Sequence, residues 1–349
     1  MTSSTAAPEA RMPAAFLGHG TPMNAIDRNR YTEAWRAFGA RVPRPRAILM
    51  ISAHWYINAS AVTAMEQPRT IHDFYGFPEE LFAVEYPARG DPALAGEITE
   101  LVKPTWVGQD RDSWGIDHGA QLSANALKPF DYHLELGAKL APLREQGVLV
   151  LASGNIAHNL GRMDWTQPDT GYPWVRSFDD SAREVMTADP AGVPELQAHQ
   201  YFSAAVPTPD HFIPLLYLAG LAASDGKATE VLVDGYAMGS LSMTAYTLGC
   251  ERIVYDGVGG RPSCRKSRQT KATSDSRPAR MRGGRWCDRV PGQASFGGPA
   301  TAGAVRAGQL RFRDDHALSD HGPGAEDRVN RLVAALLLAS AEIVLLCTT

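Results

Sequence analysis

Residues 47–55 read AILMISAHW. Five apolar residues run without a break, and the stretch then closes on a serine, a small residue, a histidine and a tryptophan. A run this short that is apolar on both faces suits a strand buried inside a parallel sheet. It starts directly after RVPRPR (41–46), whose two prolines mark a turn. The same form recurs in AAFLG (14–18), GVLVLASGN (147–155) and ATEVLVDGY (228–236). Helical patterns lie between these runs. DPALAGEITELV (91–102) is one, and YHLELGAKLAPLREQG (132–147) is another, with Asp131 as its candidate N-cap and Gly147 as its stop. This alternation predicts an α/β fold with a mostly parallel central sheet and helices on both faces. In such sheets ligands gather at the carboxyl ends of the strands.

The histidines sharpen that expectation. Eight of the ten lie in the first 250 residues. His19 follows AAFLG, His54 closes AILMISAHW, His158 follows VLVLASGNIA and His211 opens HFIPLLYLAG. His118 lies in the glycine-flanked loop WGIDHGA. A single histidine at a strand end is more often an ordinary hydrogen-bonded residue than a ligand, so the weight rests on the set. Imidazoles after neighbouring parallel strands point into one crevice, and neutral imidazole binds zinc and iron well. The pattern therefore predicts a Zn(II) or non-haem Fe(II) centre. Gly18 and Gly20 would let the backbone approach the metal, and Pro22 would stiffen the exit. His133 and His199 read as surface or capping residues. His72, with Asp73, Phe74, Tyr75 and Phe77, reads either as an aromatic loop over a flat substrate or as a loop packing its own rings.

Composition bounds the class. The chain is 44% hydrophobic and 21% charged, as globular proteins are. Its N-terminus, MTSSTAAPEARMPAAF, lacks the charged start and long apolar core of a signal peptide, so a cytoplasmic protein is expected. All four cysteines fall at or beyond Cys250, which excludes a disulfide framework or a thiolate metal site in the body. Charge divides at the same place. Residues 1–250 carry 18 Lys/Arg against 28 Asp/Glu, and residues 251–349 carry 16 against 10. The second stretch is rich in Gly, Arg and Ser and has no usable period, so a basic, disordered tail is expected. Its ten basic residues from Arg261 to Arg289 read either as a nucleic-acid or anionic-surface patch or as a solvated tail; the tail is favoured, and no nucleic-acid partner is expected. RLVAALLLASAEIVLLCTT (331–349) is a borderline apolar span that contains Glu342, and no membrane anchor is expected.

Seven segments in order carry a resemblance: FLGHGTPMN (16–24), ISAHWY (51–56), TIHDFYGFP (70–78), WGIDHGA (114–120), LASGNIAHNL (151–160), PTPDHFIPLLY (207–217) and MGSLSM (238–243). The series resembles the class III extradiol ring-cleavage dioxygenases of the bacterial 4,5-DOPA-extradiol-dioxygenase type, from about residue 12 to residue 249. The resemblance implies one mononuclear metal centre and a small aromatic diol, catechol-like or DOPA-like, opened by O2 beside its hydroxyls to a semialdehyde acid. It implies His19, His54 and His211 as metal ligands and His158 as a further ligand or an acid/base beside the metal. It implies His118 as a catalytic histidine near substrate or oxygen. Fe(II) would support turnover, and a histidine-rich set also suits Zn(II). A histidine of suitable pKa would take the phenolic proton and later return one.

Two departures stand out. The DHG loop runs directly from Ala120 into QLSANALKPF, whereas the family places a helix and a connection before QLS. The stretch 251–349 has no family counterpart, and its abrupt composition fits translation in another reading frame. The expected organisation is thus a catalytic domain over 12–250, with an internal deletion near 120–121, and a tail over 251–349. Two other readings remain at this point. One is a zinc hydrolase using the same imidazoles with Asp73 or Asp117 as general base. The other is an inactive, shortened dioxygenase homologue. A serine hydrolase is disfavoured, because MGSLSM lacks G-x-S-x-G spacing.

Overall fold

The computed structural model describes residues 11–69, 76–84, 89–112 and 120–250. Its strands are β1 (Ala14–Gly18), β2 (Ala47–Ile57), β3 (Ala61–Thr63), β4 (Gly108–Asp110), β5 (Ala120–Asn125), β6 (Val148–Gly154), β7 (Glu230–Val233), β8 (Tyr236–Ala237), β9 (Leu241–Ser242) and β10 (Ala245–Leu248). Its helices are α1 (Arg30–Arg41), α2 (Glu79–Phe82), α3 (Pro92–Leu101), α4 (Phe130–Lys139), α5 (Pro173–Ala188), α6 (Phe202–Ala205) and α7 (Ile213–Ser224). The stretch 251–349, including the expected tail and the apolar span at 331–349, lies outside the described residues.

One sheet organises the body, in the order β4-β3-β5-β2-β6-β1-β10-β7. The centre, β5-β2-β6-β1, is wholly parallel. Antiparallel pairs flank it, β3 against β5 on one side and β1-β10-β7 on the other. Period-2 alternation splits the central side chains between two cores. Phe16, Leu49, Ile51, Val150 and Ala152 face one core, which α3, α4, α5 and α7 cover. Leu17, Ile48, Met50, Leu149 and Leu151 face the other, against Tyr31, Ala34, Trp35 and Phe38 of α1. Helices therefore cover both faces, and the first five residues of β2 and of β6, like all of β1, are apolar on both sides.

Local chemistry sets the helix ends. Asn29 caps α1, accepting from the Tyr31 and Thr32 amides, while Thr32 returns a bond to the cap. Asp91 caps α3 through the Leu94 amide. From Ile213 to Ala222 every residue of α7 is buried, so this helix has no solvent face.

Two expectations need correction. The pattern over 132–147 is not one helix. α4 ends at Lys139, and a 3-10 turn carries residues 141–146 into Gly147, whose φ of 77° closes it. Pro142 lacks the amide needed to continue an α-helix. Asp131 sits in the first turn of α4 and not at its cap, which is Pro129. ATEVLVDGY is also not a central strand. β7 is an antiparallel edge strand with Val231 exposed.

Candidate metal centre

The parallel strands deliver their histidines to one rim. His19 follows the last residue of β1, and His54 lies near the end of β2. His158 lies four residues past β6, and His211 just precedes α7. The rings of His19, His54 and His211 form an equilateral group, with centroids 5.2 Å apart in each pair. One nitrogen from each lies within 4.8 Å of the others. His158 is outside this group of three, but its ring stacks on His211 at 3.5 Å with a 7° interplanar angle. Four residues scattered over nearly 200 positions thus meet. His118 and His72 lie outside the described residues, as do Asp73, Phe74, Tyr75 and Asp117; Phe77 packs against the α1-side core.

Backbone bonds fix the geometry. The His19 amide donates to the Gly154 carbonyl at 3.0 Å, and the Asn155 amide donates to the His211 carbonyl at 2.9 Å. Gly154 has to be glycine, because a Cβ there would lie 2.2 Å from the His211 carbonyl oxygen. Gly18 and Gly20 meet a steric need. A Cβ on Gly18 would meet the Met243 backbone at 2.7 Å, and one on Gly20 would meet the Met243 sulfur at 2.4 Å. They make room for residue 243.

A second layer orients the rings. His19 Nδ1 is 2.9 Å from the buried Ser153 hydroxyl, and His211 Nδ1 is hydrogen-bonded to Asp210. Each bond occupies Nδ1 and leaves Nε2 for a ligand, the usual role of such partners. Asn24 anchors the loop by donating to the His19 carbonyl at 2.9 Å. Sequence reasoning missed Ser153 and Asn155. Their only signal is position: Ser153 shares the face of Leu149 and Leu151 on β6, one step from the rim.

Burial decides the charge state. It pushes His19 well below the usual imidazole range, and the His211, His54 and His158 rings add to the shift. Burial, then His211, takes His54 to about 3, with Asp210 opposing. The same causes take His158 to about 2. Burial raises the Asp210 carboxyl, but bonds from His211 and Thr208 outweigh it and hold the group below its ordinary value. The rim therefore offers neutral lone pairs beside a carboxylate, and no thiolate is among them. That donor set fits a divalent first-row ion.

His133 is a correction. It is fully buried between Tyr217 and the Asn125 carbonyl, not on the surface. His199 is partly buried and accepts from the Tyr201 amide.

Residues 13–249 match the family described as the catalytic LigB subunit of aromatic ring-opening dioxygenase. The chain belongs to that family. A 4,5-DOPA dioxygenase extradiol of Escherichia coli K12 is 42% identical over 260 residues, covering 68% of this chain and 95% of that protein. The Beta vulgaris protein of the same name is 33% identical over 259 residues, covering 66% of this chain and 94% of that protein. A crystal structure of an uncharacterized E. coli K12 protein superposes with a TM-score of 0.59 at 38% identity, over 68% of this chain and 100% of that one. As a LigB-family extradiol dioxygenase, the chain is a non-haem, metal-dependent enzyme that opens an aromatic diol with O2. The family favours this over the hydrolase reading. Among the described residues, no helix is long and apolar enough to cross a membrane.

Proposed function

We propose that His19, His54 and His211 hold a single Fe(II) ion and that the substrate is a DOPA-like catechol, opened to a semialdehyde acid. The convergence of three imidazoles on one point carries this reading. The bound ion would supply Lewis acidity to the diol and a route for electrons between ring and O2. Zn(II) suits the same donors but is redox-inert. Ser153 and Asp210 keep two ligand rings in the tautomer that presents Nε2. His158, stacked on His211, is the acid/base beside the ion in this reading, with His118 as the second catalytic histidine. A neutral imidazole there accepts a phenolic proton and can hand it back. The printed names of the relatives support the DOPA-like substrate. The enzyme would work in the cytoplasm.

Residues 12–250 form the catalytic domain in this proposal, with 251–349 as a basic tail. In this reading a segment about the length of a short helix plus part of a strand has been lost near residues 120–121. Among the described residues, neither amide atom of the buried Gln121 side chain has a hydrogen-bond partner, as expected where a neighbouring segment has been lost.

Metal analysis with oxygen uptake on 3,4-dihydroxyphenylalanine and simpler catechols tests the proposal. One iron per chain and diol-dependent uptake are expected, and both are lost in His54→Ala and His211→Ala. Retention of stoichiometric metal by both variants would remove the ligand assignment. Iron binding without uptake in the parent chain would end the claim of activity for this shortened protein.

A further inference from the structure

Asp179 is a fully buried acid in the middle of α5, and an acid buried there costs stability unless something uses it. Its Oδ1 accepts from the Ser242 hydroxyl at 2.6 Å. Its Oδ2 accepts from the Thr244 hydroxyl at 3.0 Å, and from Arg183 and the Tyr236 hydroxyl at 3.3 Å each. Two of these four donors belong to one short segment, residues 240–244, and hold it from below.

The upper side of that segment touches the histidine rim at several points. The Ser242 amide donates to the Ala157 carbonyl at 3.0 Å, and Leu241 forms a β-bridge with His158 itself. Asn155 Nδ2 donates to the Ser242 carbonyl at 2.7 Å, while the Asn155 amide holds the His211 carbonyl. The Ser240 hydroxyl donates to the Asn159 carbonyl at 2.8 Å. Met243 fills the space left by Gly18 and Gly20 on either side of His19. Segment 240–244 therefore works as a plate, with the loops of three histidines on one side and a single carboxylate on the other.

We propose that Asp179 is a positioning residue for the metal centre, acting through Ser242 and Thr244 to set where His158 lies against His211. The idea rests on the histidine reading above. An amide at this position presents one acceptor where four donors converge, so part of the clamp must open. The plate then shifts relative to Gly154–Asn155, and the His158–His211 stack shifts with it.

The test uses the full chain loaded with Co(II) for spectroscopy and Fe(II) for turnover. Asp179→Asn is compared with Met186→Ala, a cavity variant about two turns along the same helix that removes a buried side chain and leaves the Asp179 bonds to Ser242 and Thr244 in place. Asp179→Asn is expected to shift the cobalt ligand-field bands and to weaken metal binding about 10–100-fold in chelator competition, as loss of outer-layer support does. It is also expected to lower kcat more than it changes KM. Ser242→Ala opens the same link while leaving the carboxylate in place, and should reproduce the spectral shift if Asp179→Asn fails to fold. The double variant should be no worse than the more severe single one. Cobalt spectra superimposable on the parent, with activity losses matching Met186→Ala, would overturn the proposal. A parent chain with no imidazole-bound cobalt spectrum would instead refute the histidine site, and that result comes before any variant is made.

Discussion

The two ends of the parallel strands bury polar groups in opposite ways. At the carboxyl end, four imidazoles crowd together, and burial keeps His19, His54 and His158 neutral, with lone pairs available for a ligand. At the amino end, Arg144 is fully buried with its donors committed. It pairs with Asp225, which is also buried, and donates to the Met12 carbonyl at 2.7 Å and the Leu248 carbonyl at 3.4 Å. These bonds tie the entry of β1 and the exit of β10 to the turn before β6. One end keeps bonding capacity in reserve, and the other uses it to close the fold. The contrast implies that substitutions at the two ends separate function from stability.

Arg144→Met should produce the largest stability loss. Removing one member of a buried ion pair leaves the other charge unpaired, at a cost of about 3–5 kcal/mol. Arg11 also reaches Asp225, at 2.8 Å, which places the expected value toward the lower bound. Denaturant unfolding of the metal-loaded protein measures the loss, while metal content of the folded fraction should stay at the parent level. A variant of unchanged stability that loses its metal would contradict the division between the two ends. Replacing Asp225 by Leu in the same chain should recover part of the loss, since the pair is then removed together.

How much of this was legible depends on what each signal needs. β1, β2 and β6 could be read because burial on both faces forces an unbroken apolar run, and that run needs no knowledge of partners. β7 carries a similar text but lies at an edge, and only its pairing with β10 decides that. β3, β8 and β9 have two or three residues each, too few to show a period. The histidines could be read because imidazoles at strand ends are uncommon and share a rim by topology. Ser153, Asn155 and Asp179 could not. They are ordinary polar residues whose importance lies in which backbone, ring or hydroxyl they meet, and those partners are 63 to 134 residues away. His133 was misread because a helical pattern alone does not tell which face is covered.

His133 sharpens the comparison, because it is a buried neutral imidazole with a structural task. The Asn125 carbonyl can only accept, so Nε2 carries the proton and Nδ1 accepts from the Tyr217 hydroxyl. Burial lowers its pKa from 6.5 to about 4. A lowered histidine pKa means the unfolded chain binds the proton more readily. The stabilisation is therefore complete above pH 6.5 and is lost as pH falls from 6.5 to 4. It amounts to about 3 kcal/mol over that window. In His133→Gln the metal-free protein should lose this part of its acid sensitivity, so the difference in unfolding free energy between parent and variant narrows as pH drops. A difference independent of pH would show that His133 titrates alike in both states.

Ser153→Ala is the smallest of these effects and the most selective. Ser153 is buried at the end of β6, and among the described residues its side-chain partner is His19 Nδ1. For Nε2 of His19 to face an ion, Nδ1 must carry the proton, so the serine oxygen accepts in the metal-loaded state. Alanine fills nearly the same space and keeps the β6 backbone pairing, so the stability cost should stay near that of one lost hydrogen bond, about 1 kcal/mol. The imidazole loses its orienting partner, and metal affinity should fall about 10–100-fold. Threonine, which retains the hydroxyl, should recover much of that affinity if its extra methyl group fits. The ratio of the two losses is what matters. At the amino end, Arg144→Met should cost stability with little change in metal binding. At the carboxyl end, Ser153→Ala should cost metal binding with little change in stability. Equal and proportionate losses in both variants would mean that the rim has no stability-independent role, and that its imidazoles are packed as core residues are.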